Sequence, residues 1–249
     1  MANITLKKFT VEFKKRKKII ATAVDNVDAT FLDGHISVLM GDSGCGKTSV
    51  LRGIIGLIDH KGDLLFDDIN VNEYGIADKG LSYVSQTLGL YPHMTVFNNI
   101  AYPLRTGGSD AKEIRERVNE VAKMLHIEAC LTRKPRHISL GQAQRVAIAR
   151  AIIKRPILYL LDEPFSNLDR KLTLELIPEF KNIFKELHAT VIFVTHDIEE
   201  AMLLGDDIYY MEEGKIKESF VPASKITKSK NKTIQTYLES IWTYTNKKN

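Results

Sequence analysis

The stretch "GDSGCGKTS", residues 41–49, narrows the fold of this chain more than any other part of it. It reads Gly41-Asp42-Ser43-Gly44-Cys45-Gly46-Lys47-Thr48-Ser49, with the glycines, the lysine and the hydroxyl at the spacing of a phosphate-binding loop, the P-loop. Glycine lets backbone turn tightly and come close to a ligand. The N–H groups freed in this way converge on an anion at a helix N-terminus. The pattern therefore demands a strand before it and a helix after it. "HISVLM" (35–40) suits the strand, and "KTSVLRGIIGL", starting at Lys47, suits the helix. In that setting Lys47 is expected to reach the β- and γ-phosphates of a nucleotide, and the Thr48 hydroxyl to hold Mg²⁺.

Two further apolar runs, "ILYLL" (157–161) and "TVIFVT" (190–195), have the near-continuous hydrophobicity of strands buried on both faces of a parallel sheet. Helical periodicity follows in "RKLTLELIPEFKNIFKEL" and "DIEEAMLLG". Strands alternating with helices argue for an α/β core. "LKKFTVEF" and "KIIATAVDNVDATF" alternate polar and apolar residues and predict an antiparallel hairpin, with "KKRKK" (14–18) at its turn. Residues 110–126 carry apolar positions at helical spacing and predict an inserted helical region. From Pro222 on, the chain is rich in lysine, serine and threonine, and only "TIQTYLESIWTY" has apolar content.

A phosphate-bound metal needs a carboxylate as well as a hydroxyl. "LYLLDEP" supplies one, a strand ending in Asp162 and Glu163. Asp162 fits a metal carboxylate acting directly or through water. Glu163, one residue further, is positioned to orient and deprotonate an attacking water. The plainer reading of the pair is an acidic cap on a helix N-terminus.

Bulk composition limits the partners. The chain has 35 basic and 31 acidic residues and a net charge of +4, too balanced to argue for nucleic acid. Cys45 and Cys130 form neither a disulfide framework nor a zinc spacing, which suits a reducing cytosol. "MANITLKKFT" lacks the apolar run of a signal peptide, and no stretch approaches 18 apolar residues.

The segment "HISLGQAQRVAIARAIIKRPILYLLDEPFSNLD" closely resembles the signature-to-D-loop region of ABC-type ATPases, the nucleotide-binding subunits of ABC transporters. "YVSQ" places Gln86 at that family's Q-loop, and "FVTHD" places His196 at its switch histidine. The resemblance covers roughly residues 4–220. It implies a P-loop NTPase (RecA-like) parallel-sheet core over about 1–86 and 155–221, with an antiparallel β subdomain, and an inserted α-helical subdomain over about 87–154. Together these make an ABC ATPase domain over 1–221, with a basic tail over 222–249.

Roles follow from the resemblance, position by position. Gln86 looks like the residue that contacts Mg²⁺ and water and couples the site to a membrane partner. His196 resembles the switch that contacts the γ-phosphate. Asp169 in "SNLD" looks like the D-loop aspartate that communicates across a dimer. Phe13, at the end of the first strand, looks like the aromatic that stacks on adenine; a core phenylalanine is the other reading. Ser139, Gly141 and Gln142 match the signature that closes on ATP held by a second subunit. That motif usually reads Leu-Ser-Gly-Gly-Gln, whereas here Leu140 replaces its first glycine. A side chain at Leu140 is expected to crowd the approach if the backbone there needs positive φ.

Transport would need borrowed transmembrane subunits. "TLGLYPHMTVFNNIAYPLR" (87–105) resembles the region that receives a coupling helix from such a permease; plain core packing is the alternative. With "THDIEEAMLLGDDIYYMEEGKI" it resembles importer ATPases of the maltose, polyamine and sulfonate kinds. The maltose and polyamine types usually carry a long C-terminal regulatory domain. Only 28 residues follow Val221, so none is expected here. The implied function is an ATP-hydrolysing importer subunit at the cytoplasmic face of a membrane. Its implied partners are permease subunits, a second ATPase subunit in a homodimer or heterodimer, and an external solute-binding protein. The alternatives are an exporter ATPase or a soluble ABC ATPase acting on ribosomes or nucleic acid.

Overall fold

Strict alternation of side chains along a strand means that a wholly apolar strand must be covered on both faces. The structure, a computed structural model, describes residues 2–16 and 18–246, with side chains described through Glu239. In chain order its strands and helices are β1 (Ile4–Lys15), β2 (Lys18–Phe31), β3 (Ile36–Met40), α1 (Lys47–Ile55), β4 (Lys61–Phe66), β5 (Ile69–Asn70) and β6 (Leu81–Val84). Then come α2 (Val96–Thr106), α3 (Ala111–Met124), α4 (Leu140–Ile152), β7 (Leu158–Asp162), α5 (Arg170–Glu186) and β8 (Thr190–Thr195). The chain closes with α6 (Ile198–Leu204), β9 (Asp207–Glu212), β10 (Lys215–Phe220) and α7 (Lys232–Asn246).

Among the described residues, one sheet runs β10-β9-β3-β8-β7-β6, parallel throughout except for the antiparallel edge strand β10. Every residue of β3, β7 and β8 is buried. Val38, Tyr159 and Phe193 face a core shared with α2, α4 and α5. Leu39, Leu160 and Ile192 face a second core under α1 and the antiparallel sheet β2-β1-β4-β5. Helix α1 is thus sandwiched between the two sheets, and its N-terminus is fixed by packing on both sides.

The β1–β2 hairpin forms as its alternation demands, with Lys15 opposite Lys18. Lys17 of the basic turn lies outside the described residues. Between β6 and β7 the chain is helical. Val96, Ile100 and Leu104 of α2, Ile114 and Val118 of α3, and Val146 and Ile148 of α4 join the first core.

The segment after Pro222 differs from a solvated tail. Ala223, Ile226, Ile234 and Leu238 are buried in the first core, because Ile234 and Leu238 fall one turn apart on α7 and give it an apolar stripe. The rest of "TIQTYLESIWTY", from residue 240, lies outside the described side chains. Among the described residues, no helix is long and apolar enough to cross a membrane.

Candidate functional site

The P-loop leaves β3 at its C-terminal edge and turns into α1, the strand–loop–helix arrangement its spacing requires. Gly46 precedes the helix with φ 112°, and a Cβ there would lie 2.1 Å from the Ala23 carbonyl oxygen of β2. A Cβ on Gly41 would lie 2.1 Å from the Met211 carbonyl oxygen of β9. Two neighbouring strands therefore press directly on the loop backbone, and only glycine fits. Asp42, Ser43 and Gly44 form the exposed rim, and Ser49 continues into the first turn of α1. The Cys45 carbonyl accepts a hydrogen bond from the Gly214 N–H. Burial pushes the Cys45 thiol pKa up, against the pull of Lys47.

Lys47 is 4% exposed. Its ammonium donates to the carbonyls of Gly41 at 2.7 Å and Asp42 at 2.8 Å, and lies 3.9 Å from Glu163 Oε1. The lysine is thus stowed within its own loop, two of its protons on carbonyl oxygens that an anionic phosphate could replace.

Asp162 ends β7 beside this loop. Thr48 Oγ1 donates to its Oδ1 at 2.8 Å, and Tyr83 Oη donates to its Oδ2 at 2.8 Å. A hydroxyl and a carboxylate make a hard-oxygen pair suited to Mg²⁺, which takes few protein ligands when phosphates supply the rest. No cluster of three or more His, Cys, Asp or Glu suited to a metal occurs among the described residues. That is compatible with a metal shared between protein and phosphate.

Glu163 follows, with φ 44°, a left-handed conformation that costs a non-glycine residue energy and recurs at functional sites. Its N–H bonds the Val194 carbonyl of β8, and its carbonyl accepts from Ser166 Oγ, so the strained turn is held at both ends. Its carboxylate bridges outward, with Oε2 3.3 Å from His196 Nδ1. His196 leaves the end of β8 with its side chain 52% exposed. The structure thus brings Lys47, Thr48, Asp162, Glu163 and His196 together from three adjacent strand ends.

Gln86 is exposed in the loop after β6, and its carbonyl accepts from Asn167 Nδ2 at 3.2 Å. Asp169 caps α5 by accepting from the Leu172 N–H. Ser139 caps α4 in a reciprocal capping box, its Oγ accepting from Gln142 N while Gln142 Oε1 accepts from Ser139 N. Gly141 is buried against α5, where a Cβ would meet Leu172 Cδ2 at 3.1 Å. Leu140 is the first residue of α4, its φ is not positive, and it is 48% exposed. The expected backbone conflict therefore does not arise. Helix N-termini use ordinary αR geometry, and the isobutyl group points into open space.

Phe13 is 43% exposed, so it is not a core side chain. It lines a cleft with Thr10, Leu57 and His60, beyond the C-terminal end of α1 rather than at the P-loop. The hairpin residue that touches the loop is Ala23.

Within 87–105 both expected readings apply to different residues. Val96, Ile100, Ala101 and Leu104 are core. Tyr91, His93 and Tyr102 form an aromatic cluster outside it, with the Tyr91 and Tyr102 rings 4.8 Å apart and Tyr102 37% exposed. Buried Asn99 fixes the preceding turn by bonding both the N–H and the carbonyl of Tyr91. Arg150 of α4 donates to the carbonyls of Leu88 and Gly89 and sits over the Tyr91 ring. The loop after Gln86 is thereby tied to the helix that Ser139 opens.

Sequence reasoning missed three contributors. Tyr83 was visible only as part of "YVSQ". Glu200 accepts from Thr195 Oγ1 at 2.6 Å behind His196, and burial pushes its pKa up to about 7. Tyr237 of α7 hydrogen-bonds the Asp42 carboxylate on the P-loop rim. For Tyr83 the available signal was its place in the strand next to Asp162; for Tyr237 it was the Ile234 and Leu238 stripe.

The model of one protein family, described as ABC transporter, matches residues 24–166, more than half of the chain. The sn-glycerol-3-phosphate import ATP-binding protein UgpC of Yersinia enterocolitica is 40% identical over 82% of this chain and 57% of its own length. The trehalose/maltose import ATP-binding protein MalK of Thermococcus litoralis is 42% identical over 88% of this chain and 61% of its own. The chain thus spans about three-fifths of the length of these relatives. A solved ATP-binding cassette, a dimer in a post-hydrolysis state with ADP and phosphate bound, superposes with a TM-score of 0.77 at 32% identity. That match covers 88% of this chain and 98% of the cassette.

Proposed function

The chain belongs to the ABC transporter family, and on that premise we propose that it is an ATP-binding and ATP-hydrolysing subunit that powers solute import. One observation carries the hydrolytic part. Glu163 is held in a strained left-handed turn with its carboxylate between Lys47 and His196, at the rim of the P-loop. A carboxylate so placed takes a proton from water as the water oxygen bonds to the γ-phosphorus and the bond to the bridging oxygen breaks. The products are ADP and phosphate. Lys47 exchanges its loop carbonyls for phosphate oxygens, Gly41–Gly46 and Ser49 supply backbone donors, and His196 orients Glu163 and meets the γ-phosphate side. Thr48 and Asp162, with Gln86, would hold Mg²⁺, which when bound neutralises charge on the β- and γ-phosphates.

The helix N-terminus formed by Ser139, Gly141 and Gln142, exposed at Ser139, would meet nucleotide on a second ATPase subunit, with Asp169 beside that interface; the dimeric cassette supports this reading. Tyr91, His93 and Tyr102 are the face offered to a transmembrane permease, which sets the chain at the cytoplasmic side of a membrane. Import, and an external solute-binding protein as further partner, draw support from the relatives' names. Phe13 remains the aromatic nearest the tip of the β1–β2 hairpin and is the candidate for adenine contact if that hairpin bends toward the loop.

The decisive experiment compares steady-state ATP hydrolysis by the purified chain, alone and with its permease, with that of Glu163→Gln. Loss of turnover by about 10²–10⁴-fold with ATP binding retained is expected for a lost general base. Absence of turnover in the wild type under both conditions would overturn the reading.

A further inference from the structure

Asp162 has both carboxylate oxygens engaged, and the two partners come from different elements. Thr48 Oγ1, on α1, bonds Oδ1; Tyr83 Oη, on β6, bonds Oδ2. Strand β6 lies beside β7 with Tyr83 in register with Leu160, two residues before Asp162, so the phenol reaches along the sheet to the strand end. A phenol carries one proton, and here Asp162 Oδ2 accepts it.

We propose that Tyr83 is a positioning residue of the Mg²⁺ site: by occupying Asp162 Oδ2 it turns Oδ1 toward Thr48 and the metal. This rests on the proposed ATPase reading. The terminal torsion of an aspartate is broad and roughly two-fold, so a carboxylate gripped at one oxygen only can swing. With both oxygens bonded it has one orientation, and no ordering cost remains for the metal to meet. Outer partners that orient a ligating carboxylate typically change metal affinity 10–100-fold when removed.

Tyr83→Phe removes one oxygen and keeps the ring, so packing is preserved. Mn²⁺ binding in the presence of ATP, read by electron paramagnetic resonance in the non-hydrolysing Glu163→Gln background, is the direct measurement. Tyr83→Phe should weaken Mn²⁺ binding by about tenfold in that background and, with Glu163 intact, raise the Mg²⁺ concentration for half-maximal turnover equally. ATP binding without metal should not move. Unchanged Mn²⁺ and Mg²⁺ dependence, with only a lower melting temperature, would make Tyr83 a packing residue and overturn the inference. If the wild type itself shows no metal-dependent ATP binding, the proposed function falls and the inference with it.

Discussion

Two helix N-termini carry the proposed nucleotide contacts, and they are finished differently. At the N-terminus of α1 the loop is tied into the rest of the chain. Lys47 bonds two loop carbonyls, Thr48 and Tyr83 share Asp162, and strands β2 and β9 press on Gly46 and Gly41. At the N-terminus of α4 the cap is local. Ser139 and Gln142 satisfy each other, and Leu140 beside them is half exposed. The first site draws on parts of the chain more than a hundred residues apart; the second is complete within four residues and open outward. A nest that must hold a highly charged ligand alone needs rigid support on all sides. A surface that meets a ligand already held elsewhere needs only correct local geometry.

Four substitutions test that contrast, from the largest expected effect to the smallest. Lys47→Ala removes charge-assisted bonds worth about 1.5–3 kcal/mol, so ATP affinity should fall about 10–100-fold by fluorescent-nucleotide titration. Retained affinity would mean the α1 loop is not the phosphate cradle. Gly46→Ala places a side chain at φ 112° and 2.1 Å from the Ala23 carbonyl oxygen. It should cost at least about 1–3 kcal/mol in urea unfolding and lower ATP affinity as well. Next is Glu200, a half-buried carboxyl with its pKa pushed up to about 7, facing Thr195, His196, Asp197 and Glu163. Its folded pKa lies above its ordinary value of 4.5, so the folded state binds this proton more tightly. The resulting stability is present below about pH 4.5 and is lost as pH rises toward 7. Glu200→Gln should flatten the fall in melting temperature across that window; an unaltered profile would show that Glu200 does not titrate there. Smallest is Ser139→Ala, which removes the cap of α4 for about 1 kcal/mol and should leave ATP binding to the isolated chain unchanged. A tenfold loss of that binding would show the two termini acting on one nucleotide.

The central sheet was legible because β3, β7 and β8 are nearly continuously apolar, and burial on both faces accounts for that. The P-loop was legible because its glycine spacing has a single backbone explanation. Other features have no local signal. The left-handed φ of Glu163 comes from β8 and the Ser166 turn gripping it, and no residue type announces that. Leu140 looked like a conflict because a glycine was expected; in the structure that position is an ordinary first turn of helix, which accepts leucine. The segment after Pro222 looked like a tail because lysines dominate its composition, yet two apolar residues one turn apart suffice to dock α7. Phe13 could be placed only once the length of the β1–β2 hairpin was known.

The position of β3 also sets a schedule. It lies between β8 and β9, with Ile36 in register with Val191 and Ser37 with Asp207. At a synthesis rate of about 5–20 residues per second, β3 emerges from the ribosome roughly 8–30 s before either neighbour exists. Throughout that interval a largely apolar strand has two unpaired edges, and the glycine loop beyond it lacks the Met211 carbonyl and the Gly214 N–H that meet it. The geometry of the loop is therefore written early in the chain and acquired late in its making.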